Sequence, residues 1–112
     1  MEKLEQIFEF QKEFGSRFID FDKLNEEQQE LKTLEFIDHC IEELIEMRKE
    51  IPRRKHWKKL TPVDKVKLLD EYVDVLHFFI ELAIINGWTA ETIYQGYLDK
   101  NKVNHQRQEN GY

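Results

Sequence analysis

The sequence predicts an all-α protein, a bundle of the four-helix type, and three observations predict it. Only 4 Gly and 2 Pro occur among 112 residues, which permits long helices and disfavours a turn-rich β fold. Apolar residues recur at three- and four-residue spacing along most of the chain. Helix start and stop signals divide those stretches into four. The first helix is expected over about Glu2–Ile19, with Ile7, Phe10, Phe14 and Phe18 as its apolar stripe and Gly15-Ser16 weakening its second half. Asn25, followed three residues on by Gln28, offers a capping box for the second helix. That helix runs to about Glu50, ahead of Pro52, and gathers Leu34, Ile37, Ile41, Leu44 and Ile45 on its apolar side. Thr61-Pro62-Val63-Asp64 opens the third helix, with a capping Thr, Pro at the first helical position and an acid at the third. The third helix ends near Asn86 at Gly87. Thr89 caps a fourth from Ala90, expected to fray beyond Lys102, and a basic loop, Arg53 to Lys59, joins helices two and three.

One domain over residues 1–112 is expected, at a size where oligomers are common. Repeats, low-complexity tracts and linkers are absent from the sequence. A net charge of −6 argues against a general nucleic-acid binder. Cys40 is alone and reads as a small buried residue. The first ten residues carry no uninterrupted apolar run of the kind a secretory leader needs. The most apolar stretch, Val75 to Ile85, is too short to span a membrane and contains His77 and Glu81. The expectation is a cytoplasmic protein with neither nucleic acid nor membrane as partner.

Two pairs of acids carry the chemistry. Glu43 and Glu46 on the second helix, and Glu71 and Asp74 on the third, are each three residues apart, so each pair shares a helix face. His39, Glu43, Glu46 and Glu50 form a narrow stripe, while Glu71, Asp74, His77 and Glu81 fall within about 120° of one another at about 100° per residue. Taken alone, Glu42-Glu43-Leu44-Ile45-Glu46 reads as a solvated acidic face. The second pair reads differently, because the stretch from Asp70 to Glu81 is otherwise largely apolar and carboxylates there need a partner or a cation. Four such oxygen donors facing across a bundle suit a hard divalent cation such as Mg²⁺. Di-iron chemistry is disfavoured: Asp74 and His77 mimic one carboxylate-x-x-His pair, but Glu43 is followed three residues later by Glu46, not His.

Lys100, Asn104 and Arg107 recur at helical spacing near the C-terminus and together present two cations and an amide suited to an anion. The alternative is a frayed, solvated terminus; the closing Gly111-Tyr112 favours a tail that folds over a ligand. Trp57 within the basic loop offers a stacking ring, and nucleic-acid binding there is disfavoured by the acidic remainder of the chain.

Glu42-Glu43-Leu44-Ile45-Glu46 followed by Glu71-Tyr72-Val73-Asp74 resembles the EExxE…ExxD signature of the all-α nucleoside triphosphate pyrophosphohydrolases, a superfamily that includes MazG-like proteins and dimeric dUTPases. Lys55-His56-Trp57-Lys58, the segment Asp74 to Phe78, and a tail from Tyr97 to Tyr112 similar to YxxKNxxNxxRQxxGY place the likeness in the dUTPase/dCTPase branch of phages and bacteria. The likeness covers about Ile37 to Tyr112 well and the first helix only loosely. It implies a bundle completed by oligomerisation, as a dimer or tetramer, and Mg²⁺-dependent hydrolysis of dUTP and/or dCTP to the monophosphate and pyrophosphate. By the same resemblance Glu43, Glu46, Glu71 and Asp74 hold Mg²⁺, with Glu46 or Glu43 acting on the water. Lys100, Asn104, Arg107 and Tyr112 bind phosphates, and Gln11, Trp57, His77 and Phe78 bind the base. His77 reads equally as a partly buried residue bonded to a carboxylate, and Gln11 as an exposed residue of the first helix. Where the family has an Asn one turn after its Gln, this chain has Gly15, which opens the way to dCTP or mixed use. Two alternatives stand beside this reading: a MazG-like housecleaning enzyme of broader specificity, and a non-catalytic helical interaction protein.

Overall fold

A computed structural model describes residues 2–52 and 62–111, and among them the chain is all-helical. The order is α1 (Glu2–Gly15), a short 3-10 turn (Phe21–Lys23), α2 (Glu26–Lys49), α3 (Lys65–Ile85) and α4 (Ala90–Glu109). Local chemistry sets the ends. Asn25 and Gln28 form the reciprocal capping box at the start of α2. Thr89 accepts from the Thr92 amide at the start of α4. After α3, Gly87 takes a φ of 74°, the left-handed conformation a helix stop requires and glycine adopts at little cost.

Three boundaries differ from expectation. α1 ends at Gly15, not Ile19, because the chain turns there: the amides of Phe18 and Ile19 both donate to the Gly15 carbonyl. α3 begins at Lys65 and not at Pro62, because Asp64 takes the cap and accepts from the amides of Val66 and Lys67. α4 continues well past Lys102 to Glu109, with its amide ladder intact to the cap at Asn110.

α2 and α3 make the most extensive packing in the chain and run antiparallel. At one end Gln29 Nε2 donates to the Ile85 carbonyl at 3.0 Å and Asn86 Nδ2 to Thr33 Oγ1 at 3.1 Å. At the other, Lys67 Nζ lies 3.7 Å from Glu50 Oε1. Between them Phe78 stacks on His39 and packs against Phe36. These ties fix the register that brings Glu43 level with Glu71 and Asp74.

α1 lies across α3, and Phe8, Ile80, Ala83, Ile84 and Ala90 form the core there, with Leu4, Phe21, Leu76 and Ile93 packed around it. Cys40 is buried as expected, and burial pushes its thiol pKa up, which makes it a poor nucleophile. The expected apolar stripes are not the buried faces. Phe10, Phe14 and Phe18 on and after α1, and Leu34, Ile41 and Leu44 on α2, are each at least half exposed. Amphipathic periodicity states which side seeks cover, and among the described residues these sides are only partly covered. The radius of gyration, 17.7 Å, exceeds the roughly 13 Å of a compact domain this long. No helix among the described residues is long and apolar enough to cross a membrane.

Candidate functional site

The register of α2 against α3 gathers carboxylates from both helices. One oxygen each from Glu43, Glu71 and Asp74 falls within 4.8 Å of the others, and all three residues are partly buried. Like charges this close disfavour joint ionisation. The Glu71 carboxyl is accordingly raised above its ordinary value, by desolvation first and then by Asp74, Glu43, Asp70 and Glu46. An all-oxygen set of acids sharing surplus negative charge is the donor chemistry that a hard divalent cation relieves.

Glu46, one turn beyond Glu43, is outside this trio. Its Oε1 accepts from Lys49 Nζ at 3.1 Å on the exposed side of α2, though it remains near enough to raise Glu71. His39 sits within 3.8 Å of carboxylate oxygens of both Glu35 and Glu42.

A cleft of about 420 Å³ between α1 and α3 adjoins the trio, with Asp74 belonging to both. Phe10, Phe14 and Phe78 give it aromatic walls, and His77, Gln11 and Glu81 its polar groups. Gln11 is buried, 8% exposed, in place of the exposed position that was its alternative reading. Its Nε2 donates to Glu81 Oε2 at 3.1 Å. His77 is exposed, so the partly buried reading of that residue fails in this chain. A second cleft of equal volume, between α1 and the start of α4, has Lys12 and Trp88 in its lining and shares no residue with the carboxylates.

Glu81 is the residue whose weight sequence reasoning missed. It is 6% exposed, and its Oε1 has no hydrogen-bond partner among the described residues. Burial raises its carboxyl pKa, while the Gln11 bond and the charge of His77 pull it back down. The signal was present, since Glu81 shares a face with Glu71, Asp74 and His77. Its neighbour was not readable: Gly15 of α1 abuts the carboxylate, and a Cβ there would overlap Oε1 and press on the Phe21 ring.

Lys100, Asn104 and Arg107 lie on the exposed C-terminal part of α4 and line neither the cleft nor the trio. Trp57, with the whole basic loop, and Tyr112 fall outside the described residues.

A family model described as dUTPase matches residues 3–88 and 79–112. The chain is similar to the dCTP pyrophosphatase of Enterobacteria phage T4, with 37% identity over 60 residues, covering 54% of this chain and 35% of that protein. It is also similar to the dCTP pyrophosphatase of Enterobacteria phage LZ5, 40% identical over 53 residues, 47% of this chain and 31% of that one. The match thus spans about a third of the length of these curated relatives. No solved structure matches.

Proposed function

The chain belongs to the dUTPase family, and on that premise we propose that it hydrolyses a pyrimidine deoxynucleoside triphosphate, dUTP and/or dCTP, to the monophosphate and pyrophosphate. The observation that carries the reading is the meeting of Glu43, Glu71 and Asp74 beside an aromatic-walled cleft that shares Asp74. A planar base suits the cleft, and the phosphates would then lie toward the acids. The names of the two phage relatives point to the same class of substrate.

Glu43, Glu71 and Asp74 would hold Mg²⁺, with Glu46 completing the set or orienting the water. Mg²⁺ held there would supply charge neutralisation for the phosphates and would make a water more acidic. Glu46, or Glu43 in its place, accepts the proton of the attacking water. Water oxygen bonds to phosphorus, the bridge between the α- and β-phosphates breaks, and pyrophosphate leaves. Phe78 and His77, with Trp57, hold the base, and Gln11 meets its polar edge. Lys100, Asn104, Arg107 and Tyr112 bind the phosphate chain.

The reading includes a homo-oligomer, dimer or tetramer. The exposed apolar side chains of α1 and α2 among the described residues support it, since contiguous apolar surface favours an interface. A neighbouring subunit is also a means of bringing the exposed α4 tail to a bound triphosphate. Incubation with dCTP or dUTP and Mg²⁺, with chromatographic separation of products, tests the proposal. Monophosphate and pyrophosphate in equal amounts are expected, and their absence with both nucleotides contradicts it.

A further inference from the structure

We propose that Glu81 is a positioning residue that determines base specificity: by holding the Gln11 amide nitrogen it leaves the Gln11 amide oxygen as the acceptor facing the α1–α3 cleft, which selects cytosine over uracil. The inference rests on reading the cleft as the base site of a pyrimidine triphosphate. Glu81 and Gln11 are 6% and 8% exposed, and Gln11 Nε2 donates to Glu81 Oε2 at 3.1 Å. An ionised carboxylate only accepts, so the amide nitrogen of Gln11 must face it and the amide oxygen must turn away. Glu81 Oε1 is enclosed beneath Gly15 and Phe21, out of a ligand's reach, so the acceptor offered to the cleft is the amide oxygen of Gln11. Cytosine carries an amino donor at its 4-position, where uracil carries a second oxygen. Set against the Gln11 amide oxygen, the uracil oxygen leaves buried polar groups unpaired, and such mismatches decide between substrates more strongly than added apolar contact does.

Gly15 makes the arrangement possible. Any side chain there would occupy the position of Glu81 Oε1, so the carboxylate reaches its place under α1 because this position has no Cβ. Burial is the larger influence and raises the Glu81 carboxyl above its ordinary value, while the bond from Gln11 and the nearby His77 work against it in favour of the charged form. The bland alternative is that Glu81 merely ties α3 to α1, in which case base preference does not depend on its charge.

The test compares kcat/KM for dCTP and dUTP, with Mg²⁺, in wild type, Glu81→Gln and Gly15→Ala. Glu81→Gln keeps the shape and lets the amide pair flip, presenting a donor. Wild type should favour dCTP, and Glu81→Gln should move the ratio toward dUTP by about tenfold or more, chiefly through KM, with the Mg²⁺ requirement unchanged. Gly15→Ala should shift it the same way by displacing the carboxylate. A wild type that favours dUTP overturns the inference, as does a ratio unchanged in both variants. Calorimetric binding of dCMP and dUMP gives the same comparison without turnover. An inactive protein that still binds dCMP in preference, and loses that preference in Glu81→Gln, defeats the hydrolase reading and leaves this inference standing.

Discussion

At the scale of single residues, Glu81 and Glu71 obey one rule: acids held out of water or close to other acids resist ionising. For Glu81 the sign of the consequence is fixed. Its folded pKa is raised above the ordinary 4.5, so its stabilising contribution is fully present below about that pH and is lost as pH climbs through the folded value. Glu81→Gln removes the titration. The variant should therefore match wild type in acid and gain on it as pH rises, measured as the difference in Tm across a pH series. A gap that is constant with pH would mean that Glu81 does not titrate on folding. Arg107 belongs to a different part of the reading, the phosphate chain. Arg107→Ala should lower kcat/KM for dCTP and dUTP alike, by about 1.5–3 kcal/mol for a charge-assisted bond, and leave their ratio untouched. Steady-state kinetics on the two substrates decide this, and wild-type behaviour would remove the tail from the site.

At the scale of elements, the site is the product of one helix pair. Antiparallel α2 and α3 are pinned near both ends, by Gln29 and Asn86 at one and Glu50 with Lys67 at the other, and Glu43, Glu71 and Asp74 meet between those pins. Without a cation the cluster works against its own helix pair. Glu71→Gln should accordingly melt no lower than wild type in chelator, and higher if repulsion dominates. Mg²⁺ should raise the Tm of wild type and not of the variant. A variant that melts far lower, with no Mg²⁺ effect on wild type, would make these acids structural partners. The capping signals at Asn25 and Thr89 and the stop at Gly87 were legible because each depends on a few adjacent residues. The start of α3 was not, because Thr61-Pro62 and Asp64 are both sound helix openings and local chemistry does not choose between them. Spacing along α2 and α3 was enough to select the acids. It put Glu81 on the same face but was silent on its environment, which is set by α1 crossing α3 at Gly15, a contact between residues far apart in sequence.

At the scale of the whole molecule, the apolar sides that periodicity marked as core on α1 and α2 remain largely exposed among the described residues, and Lys100, Asn104 and Arg107 line neither the cleft nor the trio. Periodicity identifies a surface that wants cover, but whether the cover comes from the same chain or another is a property of the assembly. The all-α fold and the nearness of Glu43 to Glu71 and Asp74 were therefore readable from the sequence, while the exposed placement of Glu46 and of the α4 tail was not. The central claim is that Glu43, Glu71 and Asp74 serve triphosphate hydrolysis. It is tested most directly by measuring pyrophosphate released from dCTP and dUTP at saturating Mg²⁺ by wild type and by Asp74→Asn, with folding of both checked by circular dichroism. Mg²⁺-dependent release by wild type, reduced at least about a hundredfold in a folded Asp74→Asn, as for loss of several kcal/mol of metal assistance, is the predicted result; undiminished release by the variant, or none from wild type with either nucleotide, would contradict it.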